Sequence, residues 1–226
     1  SYVLTDKLSG GFFETEADIR PFFARQLAAC GVDYFDFYLM HSQNAENFQQ
    51  FKACRAYETA FDLKAEGKIR HVGLSFHDRA EVLDRILTEY PQIEVVQIQF
   101  NYLDYDDIAV QSRKCYEVCR RHNKPVLVME PVKGGSLAGM NNEIQGIMKA
   151  QNPDLSIPSW AVRFCAGLDN ILTVLSGMST KAQLDDNVSY MEHFEPLSDK
   201  EHEVLKTVVE KLNAIPTISS LIYQDR

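Results

Sequence analysis

Short apolar runs rich in β-branched and aromatic residues alternate along the chain with longer segments whose apolar positions recur every three or four residues. The short runs are Tyr2 to Thr5, Tyr34 to Met40, His71 to Ser75, Glu94 to Gln99, Pro125 to Glu130 and Leu172 to Gly177. Each has the composition of a strand buried on both faces. Between them, sets such as Ile19, Phe22, Phe23 and Leu27, then Ala53, Tyr57, Ala60 and Phe61, fall on one side of a helix. Thr15 ahead of Glu16 and Asp18, Asp78 ahead of Arg79 and Glu81, and Ser198 with Glu201 carry helix-start signals, while Gly67 and Pro91 mark two ends.

Strands that alternate with helices in this way pair in parallel through right-handed crossovers, which makes the class α/β. A doubly wound nucleotide-binding sheet carries G-x-G-x-x-G after its first strand, and no such sequence occurs here. The pattern favours a (β/α)8 barrel of the TIM type. Six strands are legible, so about six of the eight β/α units are expected in this chain, with two units lying upstream. Residues 1–195 read as the partial barrel and 196–226 as a C-terminal helix and tail, of which Thr217 to Arg226 fit no element. The two edges left by an incomplete barrel are expected to self-associate or to receive residues from elsewhere.

At 226 residues and 45% hydrophobic, the chain has enough apolar surface for one sizeable core. A net charge of −9 argues against nucleic acid or an anionic membrane as partner. The five cysteines, Cys30, Cys54, Cys115, Cys119 and Cys165, sit in amphipathic or apolar runs, as reduced structural thiols do; Cys115 and Cys119, four apart, form no redox or metal pair. The N-terminus has no basic segment followed by a long apolar region, and no stretch is long and apolar enough to span a bilayer, so a cytoplasmic protein is expected.

Barrels of this type collect their reactive groups where strands end and the following loops begin. The strand ends here carry Lys7, His41, Ser75 with His77, Gln97 with Gln99 and Asn101, Glu130, and Ser176 with Ser179. Taken singly, each has a structural explanation: a solvated loop lysine, a rim histidine, polar layers in a barrel mouth, a helix cap at Asp78. Lys133-Gly134-Gly135-Ser136 similarly reads either as a phosphate cradle or as a turn.

Read in order, these segments resemble the aldo-keto reductase family, in its bacterial and archaeal predicted-oxidoreductase branch. The likeness rests on Val32-Asp33-Tyr34-Phe35-Asp36-Phe37-Tyr38-Leu39-Met40-His41 and on Glu66-Gly67-Lys68-Ile69-Arg70-His71-Val72-Gly73-Leu74-Ser75. It extends through Leu4-Thr5-Asp6-Lys7-Leu8, Val96-Gln97-Ile98-Gln99-Phe100-Asn101-Tyr102, Met129-Glu130-Pro131 and Leu175-Ser176-Gly177-Met178-Ser179. The resemblance implies hydride transfer between a nicotinamide cofactor, NADP or NAD, and a small-molecule carbonyl or alcohol. It makes Lys7 the lysine that lowers the pKa of a tyrosine proton donor, and His41 the histidine that orients the carbonyl. It places Ser75 and Gln97 on the nicotinamide carboxamide and Met129 where relatives stack an aromatic ring, and it adds Glu130, Ser176, Gly177, Ser179 and Gln183 to the cofactor-binding set. No metal site is implied.

Two departures follow. The family's aspartate and tyrosine belong to the first two β/α units, outside the matched blocks, and the cysteine-rich iron–sulfur segment of some relatives has no counterpart after Cys165. Relatives that prefer NADP often carry lysine and arginine where Gly177 and Gln183 stand, so weak discrimination or a preference for NAD is expected, with Lys181 as the one replacement cation. The alternative function is a non-catalytic nucleotide-binding or regulatory scaffold derived from the barrel.

Overall fold

In a computed structural model that describes residues 2–215, the chain forms a six-stranded sheet in sequence order, β1 to β6. The expected tail from Thr217 to Arg226 lies outside the described residues. Two compact units divide inside the fifth strand: one holds the residues up to Gln99 with Ile108–Leu127, the other Phe100–Asp107 with the residues from Val128 on.

The first unit is built from β1 (Thr5–Leu8), α1 (Glu16–Cys30), β2 (Phe35–Gln43), α2 (Ala45–Ala53), α3 (Ala56–Ala65), β3 (Ile69–Phe76), α4 (Ala80–Glu89), β4 (Val95–Gln99) and α5 (Ser112–Arg121). Successive strands β1 to β4 pair in parallel, with Lys7 beside Leu39, Leu8 beside Met40 and Ser75 beside Gln97. Apolar side chains bury β2 on both faces: Phe35, Tyr38, Leu39 and Met40 are fully covered, and Phe23 of α1 meets Tyr38 edge-on at 4.9 Å. Gly73 lets β3 approach its neighbours, since a Cβ there would lie 2.5 Å from Val95 and 2.7 Å from the Leu39 side chain. The expected capping box at Thr15 is present, and α1 ends at Gly31 in the left-handed region, φ 65°.

Two local expectations change. The first strand is Thr5–Leu8 rather than Tyr2 to Thr5, because Tyr2 and Val3 find no cover and remain exposed, while Leu8 is buried. Asp78 does not cap α4, whose N-cap is Arg79 with no side-chain bond; its carboxylate instead accepts from the backbone N–H of Ala45 at 2.8 Å and so ties the loop after β3 to the start of α2.

The second unit holds α6 (Asn142–Gln151), α7 (Ile157–Ala166), β6 (Ile171–Val174), α8 (Lys181–Met191) and α9 (Asp199–Asn213). The fifth strand, β5 (Val126–Met129), spans the boundary between units. Trp160, Ile144, Met148, Leu205, Val208 and Leu212 form the core of α6, α7 and α9. Buried among them, Arg163 pairs with Glu201 at 2.8 Å and also donates to the carbonyls of Glu195 and Pro196, so α7 is fixed to the capping box that Ser198 and Glu201 build at the start of α9. All five cysteines are free; four are buried as expected and Cys30 is exposed. No helix among the described residues is long and apolar enough to cross a membrane.

Candidate active site

In the first unit, Lys7 and His41 stand at the same end of adjacent parallel strands, β1 and β2. The end of β2 is shaped by an irregularity between Met40 and Gln43, with Ser42 at φ 54°. A bulge of this kind re-aims side chains at a strand end. Here it lets the Ser42 N–H donate to Ser75 Oγ at 2.8 Å, and the Gln43 amide donates to the His41 carbonyl at 3.0 Å. Gln43 is fully buried, and its side-chain oxygen accepts from the Tyr57 hydroxyl at 2.7 Å. The backbone carrying His41 is therefore held from both sides.

The His41 ring meets Ser9 on the loop after β1, with 2.6 Å between Nδ1 and Oγ. Burial lowers the His41 pKa, and the nearby positive charge of Lys7 lowers it further; both favour the neutral ring. The lysine is fixed through its backbone: Gln26 donates to the Lys7 carbonyl at 2.8 Å and accepts from the Tyr38 hydroxyl at 2.6 Å. Ser75 and Gln97 are both buried and sit side by side in register on β3 and β4. Accepting from Ser42 leaves the Ser75 hydroxyl its own proton to donate.

In the second unit, a groove of about 450 Å³ is lined by Glu130, Gly134, Gly135, Ser176, Gly177, Ser179, Gln183, Asp186 and Asn187, among others. Ser176 Oγ accepts from Asn187 at 2.9 Å. Gln183 turns its side-chain oxygen to the start of α8, accepting from the N–H groups of Ser179 and Thr180 at 2.8 and 3.2 Å, which leaves the amide nitrogen as its donor. Glu130, at φ 58°, presents its carbonyl to Asn101 at 3.0 Å and lines the groove. Met129, at the end of β5, is half-buried.

Two signals divide at Lys133-Gly134-Gly135-Ser136. Lys133 is paired with Asp104, and the amides of Gly135 and Ser136 are bonded to Val132 and Lys133 inside a tight turn. The turn reading describes this segment. Lys181, exposed at the surface, pairs with both carboxylate oxygens of Asp185 at 2.7 and 2.6 Å. Among the described residues, no lysine, arginine or histidine lines the groove.

The model of the aldo/keto reductase family matches residues 10–210. The chain belongs to the aldo/keto reductase family. It is 22% identical over 220 residues to the NADH-specific methylglyoxal reductase of Escherichia coli K12, covering 86% of this chain and 65% of that one. The chain thus spans about two thirds of the length of that relative. An aldo-keto reductase of Bacillus halodurans in its holo form superposes with a TM-score of 0.67 at 21% identity, over 91% of this chain and 71% of that one. An aldo-keto reductase of Klebsiella pneumoniae in complex with NADPH superposes at 0.69 and 17% identity, over 92% and 69%. These likenesses establish the shared TIM-barrel type of fold.

Ser9, Gln26, Ser42 and Gln43 carry no local sequence signal for these contacts, and Tyr57 reads only as part of a helix's apolar face. Gln43 stands out only as a polar residue continuing an apolar strand, and its partner Tyr57 lies on a different element.

Proposed function

We propose that this chain carries the lysine, histidine and cofactor-binding groups of a nicotinamide-dependent carbonyl reductase. The observation that carries the reading is the placement of Lys7 and His41 at the same end of adjacent parallel strands, each held by part-buried hydrogen bonds. A neutral imidazole donates one N–H to a carbonyl oxygen, and a lysine charge beside it stabilises the negative charge that develops there as the carbon is reduced. When bound, a dihydronicotinamide supplies the hydride.

The residues present suit such a cofactor. Ser75, with its hydroxyl proton uncommitted to Ser42, offers a donor to a carboxamide oxygen, and Gln97 is its neighbour in register. Met129 gives a soft apolar contact for a flat ring. Ser176, Gly177, Ser179 and Gln183 offer small or hydrogen-bonding groups along a groove with the size of a ligand cleft. The groove's two acidic residues, Glu130 and Asp186, and the lack of cationic side chains among its described lining residues favour NAD over NADP, whose extra phosphate needs charged donors. The E. coli relative is an NADH-specific methylglyoxal reductase, so small α-oxoaldehydes head the substrate class.

The proton donor lies outside the matched blocks. Tyr38, Tyr57, Tyr90, Tyr102 and Tyr190 all have phenol pKa values raised, first by burial, which is the reverse of what a proton donor needs. The second reading for these residues taken alone is a nucleotide-binding scaffold without turnover. Cofactor titration and carbonyl reduction, run on the natural protein and on the 226-residue chain, separate the two. Reduction by the natural protein supports the reductase; nucleotide binding without reduction in the natural protein supports the scaffold.

A further inference from the structure

The Ser9–His41 contact joins two segments that are each fixed independently. Ser9 opens the tight turn Gly10–Phe12 after β1. Gln50 of α2 donates from its side chain to the carbonyls of Gly10 and Phe13, at 2.9 and 3.3 Å, and so pins that turn. A Cβ on Gly10 would lie 2.9 Å from the Gln50 side-chain oxygen, so glycine is what allows the clamp. On the other side, the His41 backbone is held by Gln43 and Tyr57. The contact is a preorganised one, of the kind that locks the rotamer of a working side chain.

The contact also bears on the tautomer. It pairs one hydroxyl with one ring nitrogen at 2.6 Å, and the tautomer decides which of the two donates. If Nδ1 donated instead, the Ser9 hydroxyl proton would need a second acceptor. With the hydroxyl as donor, a single bond satisfies both the Ser9 proton and the Nδ1 lone pair, and the ring proton is left on Nε2.

We propose that Ser9 is a positioning residue that holds His41 as the Nε2–H tautomer and so aims that N–H at the substrate carbonyl oxygen. The proposal rests on the reductase reading for its purpose and on the Ser9 contact for its geometry. No proton is transferred: Ser9 shares its hydroxyl proton with Nδ1 throughout, and Nε2–H acts as a hydrogen-bond donor.

Proton–nitrogen correlation spectra of the natural protein, with His41→Gln used to assign the ring among the six histidines, test this directly. The wild-type His41 ring is expected to carry its proton on Nε2. Ser9→Ala should give a mixture of tautomers and lower kcat about tenfold, the effect of one hydrogen bond. Ser9→Thr, which keeps the hydroxyl, should restore both. A wild-type ring protonated on Nδ1, or a Ser9→Ala ring that stays wholly Nε2–H, overturns the proposal even if carbonyl reduction is fast. An Nε2–H ring in a protein that reduces no carbonyl leaves the geometry standing and removes the reductase reading instead.

Discussion

The Ser42 N–H donates to Ser75 Oγ at 2.8 Å, tying the residue that follows His41 on one strand to a buried serine on the next. The positions of His41 and Ser75 are thereby coupled through backbone. Ser75→Ala should lose twice: the Ser42 amide is left without its acceptor, at about 1 kcal/mol of stability, and a bound nicotinamide loses a donor. Urea unfolding and titration of NADH fluorescence should show both losses, and Ser75→Thr should retain most of the binding. Unchanged NADH affinity in Ser75→Ala would remove Ser75 from the cofactor set.

Gly73 predicts a purely structural defect. Its position leaves no room for a methyl group against Val95 and Leu39, and β3 is paired on both edges. Gly73→Ala should destabilise the first unit by about 1–3 kcal/mol, the range for overpacking a filled core. A lower urea midpoint at unchanged slope is the expected result.

The Arg163–Glu201 pair gives an acid-sensitive element to the second unit. Burial raises the Glu201 pKa, but Arg163, the N–H and hydroxyl of Ser198, and Asn152 together bring it down from 4.5 to about 2. Since the folded value is depressed, the stabilisation is fully present above pH 4.5 and is lost as pH falls toward about 2. The span corresponds to roughly 3 kcal/mol. Glu201→Gln should flatten the stability profile across that window, while leaving Arg163 as a buried unpaired charge that costs about 3–5 kcal/mol at neutral pH. A wild-type stability that does not change between those pH values would contradict the assignment.

Cofactor choice follows from the charge lining the groove. With Glu130 and Asp186 present, Lys133 and Lys181 paired elsewhere, and Gln183 engaged at the α8 cap, the natural protein should bind NADH at least tenfold more tightly than NADPH. Gln183→Arg should narrow or reverse that ratio by adding a charged donor, at a small cost in stability because the cap is lost. NADPH bound a hundredfold more tightly than NADH by the unaltered protein would overturn the argument.

The strand and helix rhythm was legible because buried parallel strands and amphipathic helices have different periods, and the positions of Lys7, His41, Ser75 and Gln97 followed from the rule that such strands end in functional groups. Strand limits were less legible. Tyr2 and Val3 have strand composition but no neighbour to cover them, and composition does not report cover. The support of the site was hidden for a related reason. Ser9, Gln26 and Gln43 act through hydrogen bonds to residues 32, 12 and 14 positions away, and Gln26 and Gln43 also bond backbone carbonyls. No local pattern records such partners. The spacing of Gln183 from Thr180 is also that of a capping box, and the Gln183 side chain closes that box.

The most direct test of the central claim is steady-state oxidation of NADH by the natural protein with methylglyoxal and a panel of small aldehydes, beside its Lys7→Met and His41→Gln variants. The expected result is carbonyl-dependent oxidation by the unaltered protein, with kcat reduced about 10²- to 10⁴-fold in Lys7→Met, the scale of general acid–base assistance, and a smaller loss in His41→Gln. No carbonyl-dependent oxidation with NADH or NADPH, or full turnover in Lys7→Met, would contradict the account.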